Sequence, residues 1–187
     1  HCREDNQFRK KDMLAPPPHL TKDGRMNPSG IPYLYTSDNA KTAISELRPW
    51  KGANICLAKL ETKKDLIFFN SIPDNIANID QDTTIILECI NELFSRPVYA
   101  DDVASYSPSQ FLAELIKKNK YDGIIYKSSL CEEGDNIAIF RQFTVDIIDL
   151  FDIKITKTDI EYTESISKTE IMDFCLDHLD DSKPIEK

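Results

Sequence analysis

Histidine is scarce in this chain: His1, His19 and His178 are scattered over 187 residues and leave no histidine-based triad to assemble. Glycine is scarce too, with five in all, and none opens a Gly-x-Gly-x-x-Gly turn. With no regular alternation of strand and helix either, the pattern argues against a Rossmann fold. The five cysteines (Cys2, Cys56, Cys89, Cys131, Cys175) are odd in number and never form a Cys-x-x-Cys pair. Neither a zinc framework nor a disulfide scaffold follows, and a reducing cytosol is the expected compartment. Cys56, Cys89 and Cys175 sit among apolar neighbours and read as small core residues. No apolar run approaches the ~20 residues of a membrane span, and no signal peptide is expected at the start. Basic side chains are outnumbered 23 to 32, for a net charge of −9. That balance argues against direct nucleic-acid binding by general phosphate attraction. It leaves room for a local arginine to hold a diphosphate.

What is present suffices for a core: 41% of the residues are hydrophobic, and the length suits one domain, alone or with a terminal appendage. The most structured stretch runs over 24–50. A loop punctuated by Gly24, Pro28, Gly30 and Pro32 carries Arg25. A short strand is predicted over 31–36, a turn at Ser37 and Asp38, and an amphipathic helix over 39–48. Ala40, Ala43, Ile44 and Leu47 share one side of that helix, with Glu46 and Arg48 on opposite flanks about 90–110° from its centre. Taken singly these residues are ordinary. A loop arginine is usually solvated, a strand tyrosine half-buried, and a helical glutamate exposed.

Further along, two strands are predicted over 54–60 and 65–69, separated by a charged turn. A helix follows in which Ile85, Ile86, Cys89, Ile90, Leu93 and Phe94 repeat at helical spacing and are expected in the core. Pro97 ends it, and 97–106 reads as a loop. Ser107 is placed as the cap of the next helix, with Pro108 at its first position and Gln110 at its third. That helix is expected to bury Phe111, Leu112, Leu115 and Ile116. Strands over 124–126, 136–140 and 142–150 come next, with another possible over 154–162. The Ser167-x-x-Glu170 capping box then opens a separate helix carrying Ile171, Phe174, Cys175 and Leu179.

Several blocks together resemble one family. GR-x-NP-x-GIP-x-LY (Gly24 to Tyr35), followed by T-A-x-x-E-x-RP (Thr42 to Pro49), resembles the RES domain, named for an Arg, a Glu and a Ser. The Tyr106-x-x-x-Gln110 helix, DGI-x-Y-x-S at Asp122 to Ser128, and Asn136 and Phe140 in GDNIAIF match its later blocks. Separated blocks in the right order are more specific than one short motif. The family's opening strand reads approximately Y-R-x-R, which aligns Arg3 with its second arginine and His1 with its first. Either an upstream part is missing or the chain departs from the pattern there.

The resemblance covers roughly 3–150 and implies a RES domain over 1–163 with a helical tail over 164–187. It implies an α+β fold, an ADP-ribosyltransferase-like core of small mixed sheets flanked by helices. It implies NAD as the substrate and no metal. Under it the NAD-binding residues are Arg3, Arg25, Asn27, Tyr35, Glu46 and Ser128, with Arg25, Glu46 and Ser128 catalytic. Arg25, with Arg3, would bind the diphosphate and Tyr35 would stack on the nicotinamide. Glu46 would stabilise positive charge on the ribose, and Ser128 would hydrogen-bond the ribose or amide. A serine nucleophile is not expected, because no base pairs with Ser128. The acceptor of the ADP-ribose would be phosphate, water or a protein. The family role is the toxin half of a toxin–antitoxin pair, with an antitoxin covering the cleft. A catalytically inactive partner-binding module is the alternative from another class.

Overall fold

The computed structural model describes residues 8–96 and 106–158, so Arg3, Cys2, Cys175 and the 167–179 helix lie outside the described residues. The chain divides into two compact units, His1–Lys157 and Thr158–Lys187. In chain order the first contains β1 (Leu34–Ser37), α1 (Ala40–Glu46), β2 (Asn54–Thr62), β3 (Phe68–Asn70) and α2 (Gln81–Ser95). Then come α3 (Ser107–Lys118), β4 (Gly123–Lys127), β5 (Asp135–Ile139) and β6 (Val145–Lys154). The strands form a four-stranded sheet in the order β1-β5-β4-β3 and a two-stranded ribbon of β2 with β6. Only β3 and β4 run parallel, and the connection between them carries α2 and α3. The fold is α+β with small mixed sheets.

Alternation in the strands sorts the side chains onto two faces. On one face Ile124, Tyr126, Ala138 and Phe140 join Met26 and Tyr33 beneath α2 and α3, which contribute Phe94, Ala113 and Ile116. On the other, Leu34 and Ile139 meet Val145 at the start of β6, with Leu60 of β2 and Phe68 of β3 against them. The register fixes this sorting. Ser37 opposes Asn136 and Asn136 opposes Tyr126, so these three side chains share the α2–α3 face.

Helix α1 is shorter than the pattern predicts. Asn39 caps it, its side chain accepting from the Thr42 N–H at 2.9 Å. The helix ends at Glu46, and Arg48 turns out with φ 46°. Its buried residue is Thr42, while Leu47 is exposed. The first strand likewise starts at Leu34 rather than at 31, because Ile31 and Pro32 belong to the loop.

Helix α2 corrects the expectation most sharply. Ile85 and Ile86 are 50% and 58% exposed, and Cys89 is exposed. Ile90 and Phe94 do pack inward as expected, but the buried face runs on through Leu87, with polar Asn91 among them. Asn91 sits inward because its Oδ1 accepts from the Lys127 N–H at 2.9 Å and from the Ser71 hydroxyl at 3.3 Å. A polar residue on the packed face made the stripe look rotated toward Ile85, Ile86 and Cys89 in the sequence. Helix α3 repeats the lesson: Ser109 and Ala113 are buried with Ile116, whereas Phe111 is 73% and Leu115 45% exposed. Its cap position is Tyr106, and Pro108 falls at the second helical position. Gln110 is left free of any capping role. The predicted strand over 142–150 begins with a 3-10 turn, Gln142–Thr144, and β6 continues to Lys154. No strand follows over 155–158, and 159–162 lies outside the described residues.

Candidate active site

Strand β1 is the edge of its sheet, and a cleft of about 910 Å³ wraps around it. On the α2–α3 side, Arg25, Tyr35, Tyr106, Tyr126, Asn136 and Glu46 line this cleft. Around the edge strand its lining becomes apolar, with Leu34, Leu60, Phe68 and Val145. One end thus offers charge and aromatic rings, the other an oily wall.

The loop carrying Arg25 is clamped by α3. The Gly24 N–H donates to the Asn27 carbonyl at 2.8 Å, closing a tight turn. Gln110 Nε2 donates to the carbonyls of Gly24 (2.9 Å) and Asn27 (3.1 Å), and the Ser109 hydroxyl donates to the Arg25 carbonyl. Arg25 Nη1 donates to the carbonyl of Phe94 in the last turn of α2, where free helix carbonyls favour a cation. One nitrogen is fixed there, and Arg25 also lines the cleft.

Tyr35 and Asn27 form a pair within that loop. The Tyr35 hydroxyl donates to Asn27 Oδ1 at 2.8 Å and accepts from the Met26 N–H at 3.0 Å. Gly24 makes this approach possible, because a Cβ there would stand 2.4 Å from Asn27 Oδ1. Tyr35 remains 41% exposed, while its hydroxyl is bonded within the loop. Burial pushes the phenol up to about 12, against the lowering effects of the Met26 N–H and the Arg25 charge. Burial also raises the Tyr126 phenol, again opposed by Arg25 and reinforced by Tyr35 and Glu46. Both rings therefore stay neutral while sharing a field with the guanidinium and the carboxylate. Asn27, 3% exposed, spends its Nδ2 on the carbonyls of Lys22 and Pro28. It is not part of the cleft wall and reaches it through Tyr35.

Glu46 ends α1 and is held by one oxygen. Its Oε1 accepts from the Ser128 hydroxyl at 2.8 Å and from Asn136 Nδ2 at 2.6 Å. Among the described residues Oε2 has no partner. Ser128, 6% exposed, lies behind Glu46 rather than on the cleft wall. Its Oγ accepts the N–H groups of Leu130 and Cys131, both at 3.1 Å, and its own N–H donates to the Gly134 carbonyl at 3.1 Å. The hydroxyl proton is thus directed at the carboxylate. Contact between Gly134 and α1 seats the helix on this turn: a Cβ at 134 would fall 1.6 Å from Thr42 Oγ1. Asn136 in turn has its Oδ1 bonded by the Ser37 hydroxyl at 2.8 Å.

Of the residues singled out in the sequence, Arg25, Tyr35 and Glu46 come together on one cleft, and Asn27 and Ser128 stand immediately behind it. Tyr106, Tyr126, Asn136, Ser37 and Gln110 were not assigned to the site from sequence. The Tyr106-x-x-x-Gln110, DGI-x-Y and GDNIAIF blocks carried a signal for four of them. Ser37 carried none until the β1–β5 register was known. Among the described residues no group of three His, Cys, Asp or Glu side chains could hold a metal ion, and no helix is long and apolar enough to cross a membrane.

No curated protein and no solved structure matches the chain. A family model does: the RES domain matches residues 3–162. That span includes every element described above and every side chain of the cleft. The chain belongs to the RES domain family.

Proposed function

We propose that this protein consumes NAD by cleaving the bond between nicotinamide and ribose, passing the ADP-ribose to phosphate or water. Family membership supports NAD use, and one observation carries the chemistry: a carboxylate oriented through a single oxygen shares a cleft with a guanidinium. As the C1′–N bond breaks, its electron pair goes to the nicotinamide nitrogen, which becomes neutral. Positive charge then develops on the ribose carbon until an acceptor oxygen bonds to it. A fixed anion lowers the energy of that charge. Glu46 fits the task because Ser128 and Asn136 hold Oε1 and leave Oε2 for the substrate. Arg25 binds the diphosphate, and the open face of Tyr35 takes the nicotinamide ring.

Ser128 acts in this reading as a positioning residue for Glu46 and the 128–131 turn. Neither of its observed roles is nucleophilic. The cellular role we propose is that of a toxin held in check by a protein that covers the cleft. Incubating the protein with NAD in water, with phosphate, and with candidate acceptor proteins tests the reaction. Released nicotinamide with ADP-ribose or its 1″-phosphate supports it, and modified protein in place of these products would make the enzyme a protein ADP-ribosyltransferase. NAD that binds without ever releasing nicotinamide would contradict catalysis and leave a binding module.

A further inference from the structure

An asparagine amide is nearly symmetric in shape but not in polarity. Asn136 must present Nδ2 to Glu46, since its oxygen in the same place would meet Oε1 at 2.6 Å with no proton between them. The carboxylate, which only accepts, selects that orientation, and the amide oxygen at the far end then needs a donor of its own. The side chain stands in a cross-strand row on the cleft face, with Ser37 directly opposite it on β1 and Tyr126 opposite it on β4. Of these, Ser37 contacts the far end of the amide, its Oγ lying 2.8 Å from Asn136 Oδ1. The serine sits at the end of the edge strand, one turn before α1, and lines the cleft itself.

We propose that Ser37 is a positioning residue, whose hydroxyl donates to Asn136 Oδ1 and so holds the amide in place with Nδ2 on the Glu46 carboxylate. The chain of donors runs from Ser37 Oγ to Asn136 Oδ1, and from Asn136 Nδ2 to Glu46 Oε1. Ser128 reaches the same oxygen from the other side. Two independent donors on one carboxylate oxygen fix its direction as well as its position, and Ser37 sits at the start of one of those two routes. No substrate contact is needed for this role. Its effect on catalysis rests on the reading of Glu46 given above, but the orientation itself does not.

The test uses the full-length protein with Ser37→Ala and Ser37→Thr. The side-chain amide of Asn136 is followed by ¹H–¹⁵N NMR, assigned by its loss in Asn136→Ala. In the wild type one amide proton is expected to be shifted and slow to exchange, as a donor to a carboxylate. Ser37→Ala should move that resonance and speed its exchange, and Ser37→Thr, which keeps the hydroxyl, should restore both. Nicotinamide release from NAD should fall roughly fivefold in kcat for Ser37→Ala with KM within about twofold, and recover in Ser37→Thr, the loss expected from one hydrogen bond. An unchanged Asn136 amide in Ser37→Ala overturns the proposal, whatever happens to turnover. A fall in kcat that Ser37→Thr does not rescue overturns it as well. Wild-type protein that releases no nicotinamide would refute the NAD reading alone, and the amide signal would still decide the role of Ser37.

Discussion

Removing the Ser128 hydroxyl should cost this protein stability as well as activity, by separable amounts. In Ser128→Ala the N–H groups of Leu130 and Cys131 lose their acceptor at 3.1 Å, and Cys131 is buried. A buried donor left unpaired costs about 1–3 kcal/mol, and the Leu130 amide, on an exposed residue, recovers part of its loss from water. A net destabilisation of roughly 2–4 kcal/mol follows. For a domain of this size that lowers Tm on the order of 5–12 °C. The catalytic effect is smaller in kind. Glu46 keeps the Asn136 donor at 2.6 Å, so the carboxylate is less firmly aimed but not released. Turnover should fall roughly 10–100-fold, the value of one hydrogen bond to a charged group. Urea unfolding gives the first number and nicotinamide release, measured where the variant remains folded, gives the second. Complete loss of turnover with unchanged stability would refute the reasoning, because it would mean that Ser128 acts on substrate directly.

Other outcomes follow from the same geometry. Glu46→Gln keeps an oxygen for Ser128 and Asn136, so NAD binding by calorimetry should stay within about twofold while kcat drops by roughly 10²–10³, the cost of losing charge stabilisation in the transition state. Arg25→Ala should weaken NAD binding by roughly 2–5 kcal/mol if the guanidinium meets a desolvated diphosphate, and unchanged affinity would remove it from the site. On α2, Ile86→Lys should change stability by less than about 0.5 kcal/mol, whereas Leu87→Ala should cost roughly 2–5 kcal/mol in chemical denaturation. The Tyr35 phenol, raised to about 12, binds its proton more tightly folded than unfolded. Its contribution to stability is therefore whole below about pH 10 and is lost as pH rises toward 12, which a comparison with Tyr35→Phe over that range measures.

Much of the site was legible because its residues fall in motifs with distinct chemistry. A Gly/Pro loop bearing Arg25, a strand bearing Tyr35 and a short helix ending in Glu46 are local features, and each formed close to where the pattern placed it. What the sequence concealed was long-range partnering. Nothing local says that Ser128 spends its oxygen on its own turn, or that Asn27 is consumed by Tyr35. Only folding brings Ser37 beside Asn136, since the pairing depends on a register between strands almost a hundred positions apart. Helical periodicity failed in a related way. In α2 and α3 the packed faces contain Asn91 and Ser109, polar because they hold neighbouring carbonyl, hydroxyl and amide groups. The larger apolar side chains Ile85, Ile86 and Phe111 point outward. The packed faces keep Leu87, Phe94 and Ile116 but are rotated to include these polar residues, which a ranking by hydrophobicity alone misses.

The most direct test of the account is a crystal structure of Glu46→Gln soaked with NAD, a variant that retains the substrate. The diphosphate is expected on Arg25, the nicotinamide ring against Tyr35, and the side chain at position 46 within hydrogen-bonding distance of the adjoining ribose. A dinucleotide bound with that ribose away from position 46, or with its diphosphate out of reach of Arg25, would contradict it.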